Sequence, residues 1–325
     1  MTDAGELSLR RRLLIASVYG ILAAAYVLWF DYSTKQFGPG GSDFDQLWFA
    51  ARAVWQGRDP YALIGPGREF AWSWPLVYPL STVVAMLPFA ALPLLAARVL
   101  FASLSAFVLA FAISRRGAAV LPVLASAAAL DAVRASQLSP LLTAGVLLTG
   151  ASAAFALKPH TGLALLAASP RRRAVQVAAI SGTALVAIAF LMQPGWLTAW
   201  RGALGSATHM RVPLFSLGGP FLLLALLRWR HLDARVLLAC AIVPHTPIVY
   251  DVLPLALIPR TFRESLAFAL LTYAALFAQD AWVTGAPPTE AATLAARILN
   301  ICVYLPALVV VLSRPRAVQQ ATQVA

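Results

Sequence analysis

Apolar runs close to the length of a bilayer-spanning helix recur along this chain, and they constrain its fold more than any other feature. A transmembrane helix needs about 20 predominantly apolar residues. Residues 13–30, 174–192, 265–283 and 291–312 each approach that length. Apolar residues make up 60% of the 325 and charged residues only 12%, against about 25% charged in an ordinary soluble domain. A transmembrane barrel would instead carry short alternating segments. The chain therefore reads as an all-α, polytopic helical membrane protein.

The formal net charge of +12 does not point to nucleic acid. The arginines are clustered between apolar runs: 10–12, Arg115 with Arg116, 171–173, 228–235, 260–263, and Arg314 with Arg316. That is the pattern of cytoplasmic loops under the positive-inside rule. Residues 13–30 are too long for a signal-peptide core, lack a small-residue cleavage site and read as an uncleaved anchor after a short cytoplasmic N-terminus. With the clusters inside, residues 31–76 form a long outer loop, 193–216 a second one, and the acidic tip QDAWVTGAPPTE (279–290) a third. Residues 77–312 form one helical bundle and 313–325 a cytoplasmic tail. No internal repeat or second domain is evident.

Two regions resist a simple count. Length favours two spans over 77–114, whereas the charge rule, with Arg115 and Arg116 inside, favours one span and a slanted piece. Residues 236–259 lie between basic clusters yet are too short for two crossings at 1.5 Å per residue. Pro244 and Pro247 break that run. A re-entrant pair of short helices fits, and such a break is tolerated only where protein covers it or it lines a cavity. The total is about eight to ten spanning or re-entrant helices. Cys240 and Cys302 lie in apolar segments and read as inert thiols. Zinc-ligand spacing, a P-loop and a dinucleotide fingerprint are all missing.

The first outer loop carries the stretch SDFDQLWFAARAVWQGRDPY (42–61). Ser42 and Asp45 match a capping pattern, and Phe44, Leu47, Trp48, Ala51 and Trp55 recur at helical spacing. The spacing predicts an amphipathic helix over 43–56, ended by Gly57 and lying flat at the outer headgroup layer. Asp43 and Asp45 favour the helix dipole. About 200° separates them around the axis, so only one faces any given cavity.

These residues resemble a known family. SDFDQLWFAARAVWQGRDPY, then WSWPLVYPL (72–80), SQLSPLLTA (136–144), ALKPHTGLALLAA (156–168) and PHTPIVYDVLPLAL (244–257) together are similar to the GT-C superfamily of membrane glycosyltransferases. Within it the chain resembles the polyprenyl-phosphate-mannose-dependent mannosyltransferases. The resemblance covers roughly residues 13–260 and rests on the order of short motifs. It implies a polyprenyl-phosphate sugar donor, a lipid or glycan acceptor, and an active site on the outer face of the cytoplasmic membrane. It implies that Asp43, seven residues before the Ala50–Ala51 pair, is the catalytic base, with Asp45 left to capping. It also marks Gln137, Lys158, His245 and Asp251 for substrate binding. The turn here reads Ser-Gln-Leu without the family's Gly and Asn. Only 20 residues separate Gln137 from Lys158, too few for the family's cytoplasmic turn. A continuous helix would place the two on opposite membrane faces, whereas a short re-entrant hairpin would bring them together.

On residue chemistry alone, an ionisable side chain at membrane depth is a functional candidate, because it is costly unless paired or wetted. That covers His245, Asp251, Lys158 and His160. Structural pairing is the rival account for the first two and snorkelling for Lys158. Arg58 and Tyr61 are further candidate substrate contacts, although their Gly-Arg-Asp-Pro-Tyr segment also reads as a plain turn. Arg68, His209 and Arg211 are candidate phosphate cations. Trp72, Trp74 and Tyr78 read as interface anchors, Tyr250 as packing, and Arg98 and Arg297 as snorkelling side chains. The glycosyltransferase reading requires no metal or other cofactor. Its rivals are a small-solute or lipid transporter, which would also use broken helices and buried ion pairs, and a catalytically degenerate scaffold. The topology makes a direct prediction. In a cysteine-free background, Ser73→Cys reacts with an impermeant maleimide on intact cells, and Arg172→Cys reacts only after permeabilisation; the reverse order overturns the assigned orientation.

Overall fold

The computed structural model describes residues 7–35, 38, 40–207 and 209–315. Arg316 and most of the 313–325 tail lie outside the described residues. The chain is helical almost throughout. Among the described residues five helices are long and apolar enough to cross a membrane: Leu9–Thr34, Leu94–Ser114, Arg172–Met192, Phe262–Val283 and Thr289–Ser313. Their outer faces are left uncovered; in Arg172–Met192 only 11% of the most apolar window is buried. In water such surface would be a liability, whereas in hydrocarbon it is the expected exterior. These helices match the apolar runs read from sequence. In 77–114 one long helix, Leu94–Ser114, follows the short turns Leu80–Ala85 and Leu87–Ala90, as the charge rule favoured.

The remaining bundle is built from shorter pieces: Ala127–Arg134, Ser139–Leu147, Pro159–Ala168, Leu232–Ile242, and 3-10 turns over Ala118–Ala125, Gly150–Ala156, Gly219–Arg228 and Val249–Leu257. Residues 137–158 form a broken hairpin rather than one helix. Its compactness depends on Gly162, where a Cβ would stand 2.1 Å from the Phe155 carbonyl oxygen. Residues 236–259 are likewise interrupted between Leu232–Ile242 and Val249–Leu257. The chain between them is steadied by a bridge in which Arg211 and His245 exchange backbone hydrogen bonds of 2.9 and 3.0 Å. Cys240 and Cys302 are free thiols.

The first span packs along Leu94–Ser114, and the two are joined by a buried ionic cluster. Arg98 donates from Nε to Asp45 Oδ1 at 2.7 Å, from Nη2 to Asp45 Oδ2 at 2.5 Å and to the Gly38 carbonyl at 2.8 Å, and from Nη1 to Asp31 Oδ2 at 2.9 Å. All three charged side chains are buried. This corrects two expectations. Arg98 does not snorkel, because two carboxylates meet it inside the protein. Asp45 is more than a helix-dipole residue. Its Oδ2 accepts the Ser42 and Gly40 backbone N–H groups, at 3.1 and 2.8 Å, while also holding Arg98.

The predicted helix of the first outer loop forms over Phe44–Trp55. Its apolar face rests on protein: Phe44 stacks against Phe101 and meets Phe89 edge-on, and the Trp48 indole donates to the Leu92 carbonyl at 3.1 Å. Trp55, expected on that face, is 60% exposed. The turns over residues 80–90 fill the place that lipid headgroups were expected to take. Removing one partner of a buried ion pair costs about 3–5 kcal/mol. Arg98→Met is therefore expected to lower the apparent melting temperature in nanodiscs sharply, and adding Asp31→Asn and Asp45→Asn to recover much of the loss. A single variant as stable as wild type would contradict this role.

Candidate active site

The outer-loop helix, the two broken segments and the chain over 72–79 converge on two adjoining cavities. Ser42 anchors the helix start by donating from Oγ to the Ala135 carbonyl at 2.8 Å, while that Oγ accepts the Phe44 N–H at 3.3 Å. The carboxylate of Asp43 makes no capping bond. Its Oδ2 instead accepts from Gln137 Nε2 at 2.6 Å and from the Tyr250 hydroxyl at 2.5 Å. One oxygen thus joins the outer-loop helix, the Ser-Gln-Leu turn and the second broken segment. Burial pushes the Asp43 carboxyl above the ordinary carboxylate range, and the bonds from Tyr250 and Gln137 oppose that push.

The first cavity, about 280 Å³, is mainly apolar and lined by Val77, Pro79, Trp200, Leu204, Met210 and Pro244 among others. Its polar end holds Lys158, His160, His245 and Asp251. Lys158 Nζ donates to Asp251 Oδ1 at 2.7 Å, and both side chains are largely buried. His245 Nδ1 lies 3.0 Å from the Val243 carbonyl oxygen. His160 is exposed on the rim.

The second cavity, about 190 Å³, is lined by Asp43, Gln46, Trp72, Trp74 and His209 among others. Val77, Tyr78, Thr246 and Tyr250 line both cavities. These shared residues are held by Trp200 of the first cavity, whose indole donates to the Val77 carbonyl at 2.8 Å, and by Tyr61, whose hydroxyl donates to the Tyr78 carbonyl at 3.0 Å. Thr82 ties the same region to the Lys158 turn by donating to the Leu157 carbonyl at 2.5 Å.

The sequence-predicted residues thus divide. Asp43 and Gln137 meet directly; Lys158, His160, His245 and Asp251 gather in the adjoining cavity. Tyr61 supports the shared residues without lining either cavity. Arg58 also lines neither; it pairs with Glu69 at the surface. Of the outer-loop cations, Arg68 donates to the Tyr61 carbonyl and Arg211 to Thr293 Oγ1 and the Thr289 carbonyl. His209 is held near neutral by burial and by the Arg211 charge, its pKa lowered to about 4. Tyr250 was read as packing and Trp72, Trp74 and Tyr78 as anchors, yet all four line the site. The available signal for Tyr250 was its place in a proline-broken apolar segment, where a buried phenol has to find a hydrogen-bond partner. Among the described residues no group of three or more His, Cys, Asp or Glu is placed to hold a metal ion.

No protein-family model matches this sequence, and neither a curated protein nor a solved structure is significantly similar to it.

The raised pKa of Asp43 has a consequence for stability. The folded state holds this proton more tightly than the unfolded chain does. The favourable contribution is therefore full at acid pH and is lost as pH rises from the ordinary carboxylate value of about 4 through the raised value. Asp43→Asn cannot ionise. The melting temperature of wild type should fall relative to that of Asp43→Asn across this interval and then level off; a pH-independent difference would contradict the shift.

Proposed function

We propose that this chain is an inverting membrane glycosyltransferase that moves a sugar, mannose by the family resemblance, from a polyprenyl-phosphate donor to an acceptor hydroxyl on the outer face of the cytoplasmic membrane. The observation that carries this reading is the pair of adjoining cavities that meet at Val77, Tyr78, Thr246 and Tyr250. On one side lies an apolar cavity ending in a lysine, suited to an isoprenoid chain and its phosphate. On the other lies a cavity with a carboxylate of raised basicity. Asp43 takes the proton of the acceptor hydroxyl. The acceptor oxygen forms a bond to the anomeric carbon as the bond from that carbon to the phosphate oxygen breaks, and the bonding pair leaves with the phosphate. Lys158 stabilises the charge that grows there, with Asp251 holding the ammonium in place before the donor arrives. Tyr250 and Gln137 hold the carboxylate by Oδ2 and leave Oδ1 for the acceptor. The lipid carrier makes physical sense, because a polyprenyl tail can lie between helices while its head enters the cavity.

A second reading, a small-solute or lipid transporter, is favoured by the Lys158–Asp251 pair between two interrupted helices, a motif suited to ion-coupled transport. Flux in proteoliposomes without sugar transfer would support it. The transferase reading predicts that Asp43→Asn lowers the rate of transfer from a radiolabelled polyprenyl-phosphate hexose by about 10²–10⁴-fold, with donor binding unchanged. Unaltered turnover in that variant would defeat it.

A further inference from the structure

The cavity beside Asp43 contains two buried polar side chains that the proposed transfer step does not use. His209 is 5% exposed, and its ring stacks on Trp74 with centroids 4.1 Å apart and planes 24° apart. Its Nδ1 is sealed and has no hydrogen-bond partner among the described residues. A sealed N–H without a partner is rarer and more costly than a sealed lone pair. The favoured neutral tautomer therefore leaves Nδ1 bare and carries its proton on Nε2. The ring is then a hydrogen-bond donor rather than a phosphate-binding cation.

Gln46 lies one helical turn after Asp43, on the same face of the helix. It is 6% exposed and lines the same cavity. The bonds recorded among the described residues leave its amide without a partner, so a donor and an acceptor are both available there. Trp72, Trp74 and Tyr78 supply flat apolar walls. Besides the less buried hydroxyls of Ser73 and Thr246, the cavity thus offers one carboxylate acceptor, one imidazole donor, one amide of both kinds, and aromatic surface. A lone alcohol on an alkyl chain would satisfy Asp43 and leave the other two polar groups buried and unpaired, which costs affinity. A ring carrying adjacent hydroxyls on one edge and C–H groups on its faces satisfies all of them.

We infer that His209 and Gln46 are specificity-determining residues that select a polyhydroxylated pyranose as the acceptor, bonding the hydroxyls next to the one that faces Asp43. This inference rests on the proposed sugar transfer and narrows its acceptor from any hydroxyl to a sugar ring.

The test uses the full chain in nanodiscs, with n-octyl α-mannopyranoside as probe and n-octanol as the competitor that lacks the ring. Binding is followed by tryptophan fluorescence with no donor present. Transfer of labelled hexose from a polyprenyl-phosphate donor to the same probe is measured separately. Wild type should bind the mannoside saturably, and octanol should not compete. His209→Phe keeps the stacking and loses the donor; with Gln46→Leu it should weaken binding on the order of tenfold each, the scale of one lost hydrogen bond in a desolvated site. His209→Gln, which restores a donor, should recover most of the loss and keeps the test decisive if His209→Phe misfolds. Equal competition by octanol, no binding to wild type, or unchanged affinity in both His209→Phe and Gln46→Leu would overturn the inference. Transfer that persists alongside unchanged affinity would sink the inference and leave the transferase standing. Selective binding without any transfer would leave His209 and Gln46 as sugar contacts but remove their acceptor role, overturning the transferase and the inference together.

Discussion

A helix interrupted inside a membrane has to hide its break. Peptide groups released from the helical ladder find no water in hydrocarbon, so the protein itself must surround them or open an aqueous cavity beside them. Among the described residues this chain interrupts its helices at 148–158 and 243–248, and Lys158 and Asp251 beside these interruptions bond each other at 2.7 Å. The space between them becomes the first cavity, and the second opens between the later break and the outer-loop residues Asp43, Trp72, Trp74 and His209. Lys158 stands at the first break and His245 in the second, while Tyr250 and Asp251 follow just after. The site is therefore a consequence of where prolines and short apolar segments stop the helices from running on.

The outer-loop helix completes the site by adding Asp43 from outside the broken segments. Its position is set by ionic packing together with the apolar face that it lays on Phe89 and Phe101. Arg98 clamps Asp45 on this helix and Asp31 on the first span within the buried layer. With Asp45 fixed toward Arg98, the helical twist turns Asp43 the other way, toward Gln137 and Tyr250. Two acids one residue apart thus take opposite tasks, one structural and one facing a cavity. The same geometry raises the basicity of Asp43, because its oxygen is surrounded by protein and met only by neutral donors.

Much of this was legible in the sequence. Apolar length located the long helices, and the arginine clusters separated one span from two in 77–114, since charge position carries orientation as length does not. Pro244 and Pro247 announced the break in 236–259. The 200° between Asp43 and Asp45 anticipated their divergence. The partners were not legible. Arg98 looked like a helix-end snorkeller because nothing in one sequence says that Asp31 and Asp45 lie across from it. Tyr250 looked like packing because its partner is 207 residues away. Trp55 was placed on the apolar face by periodicity, yet it is exposed, and Ala50 and Val54 join the expected Phe44, Leu47 and Ala51 on the inside.

In the proposed transfer the lysine-ended cavity receives the lipid phosphate, and the anomeric carbon turns toward the adjoining cavity that holds Asp43. Photo-crosslinking tests this placement most directly, using a short polyprenyl phosphate with a diazirine near its head and mass-spectrometric mapping of the adducts. The account predicts adducts at cavity residues such as Leu204 and Met210, suppressed by unlabelled polyprenyl phosphate and weakened by Lys158→Met. Adducts confined to the outward faces of Leu9–Thr34 and Arg172–Met192, and unaffected by competitor, would contradict it.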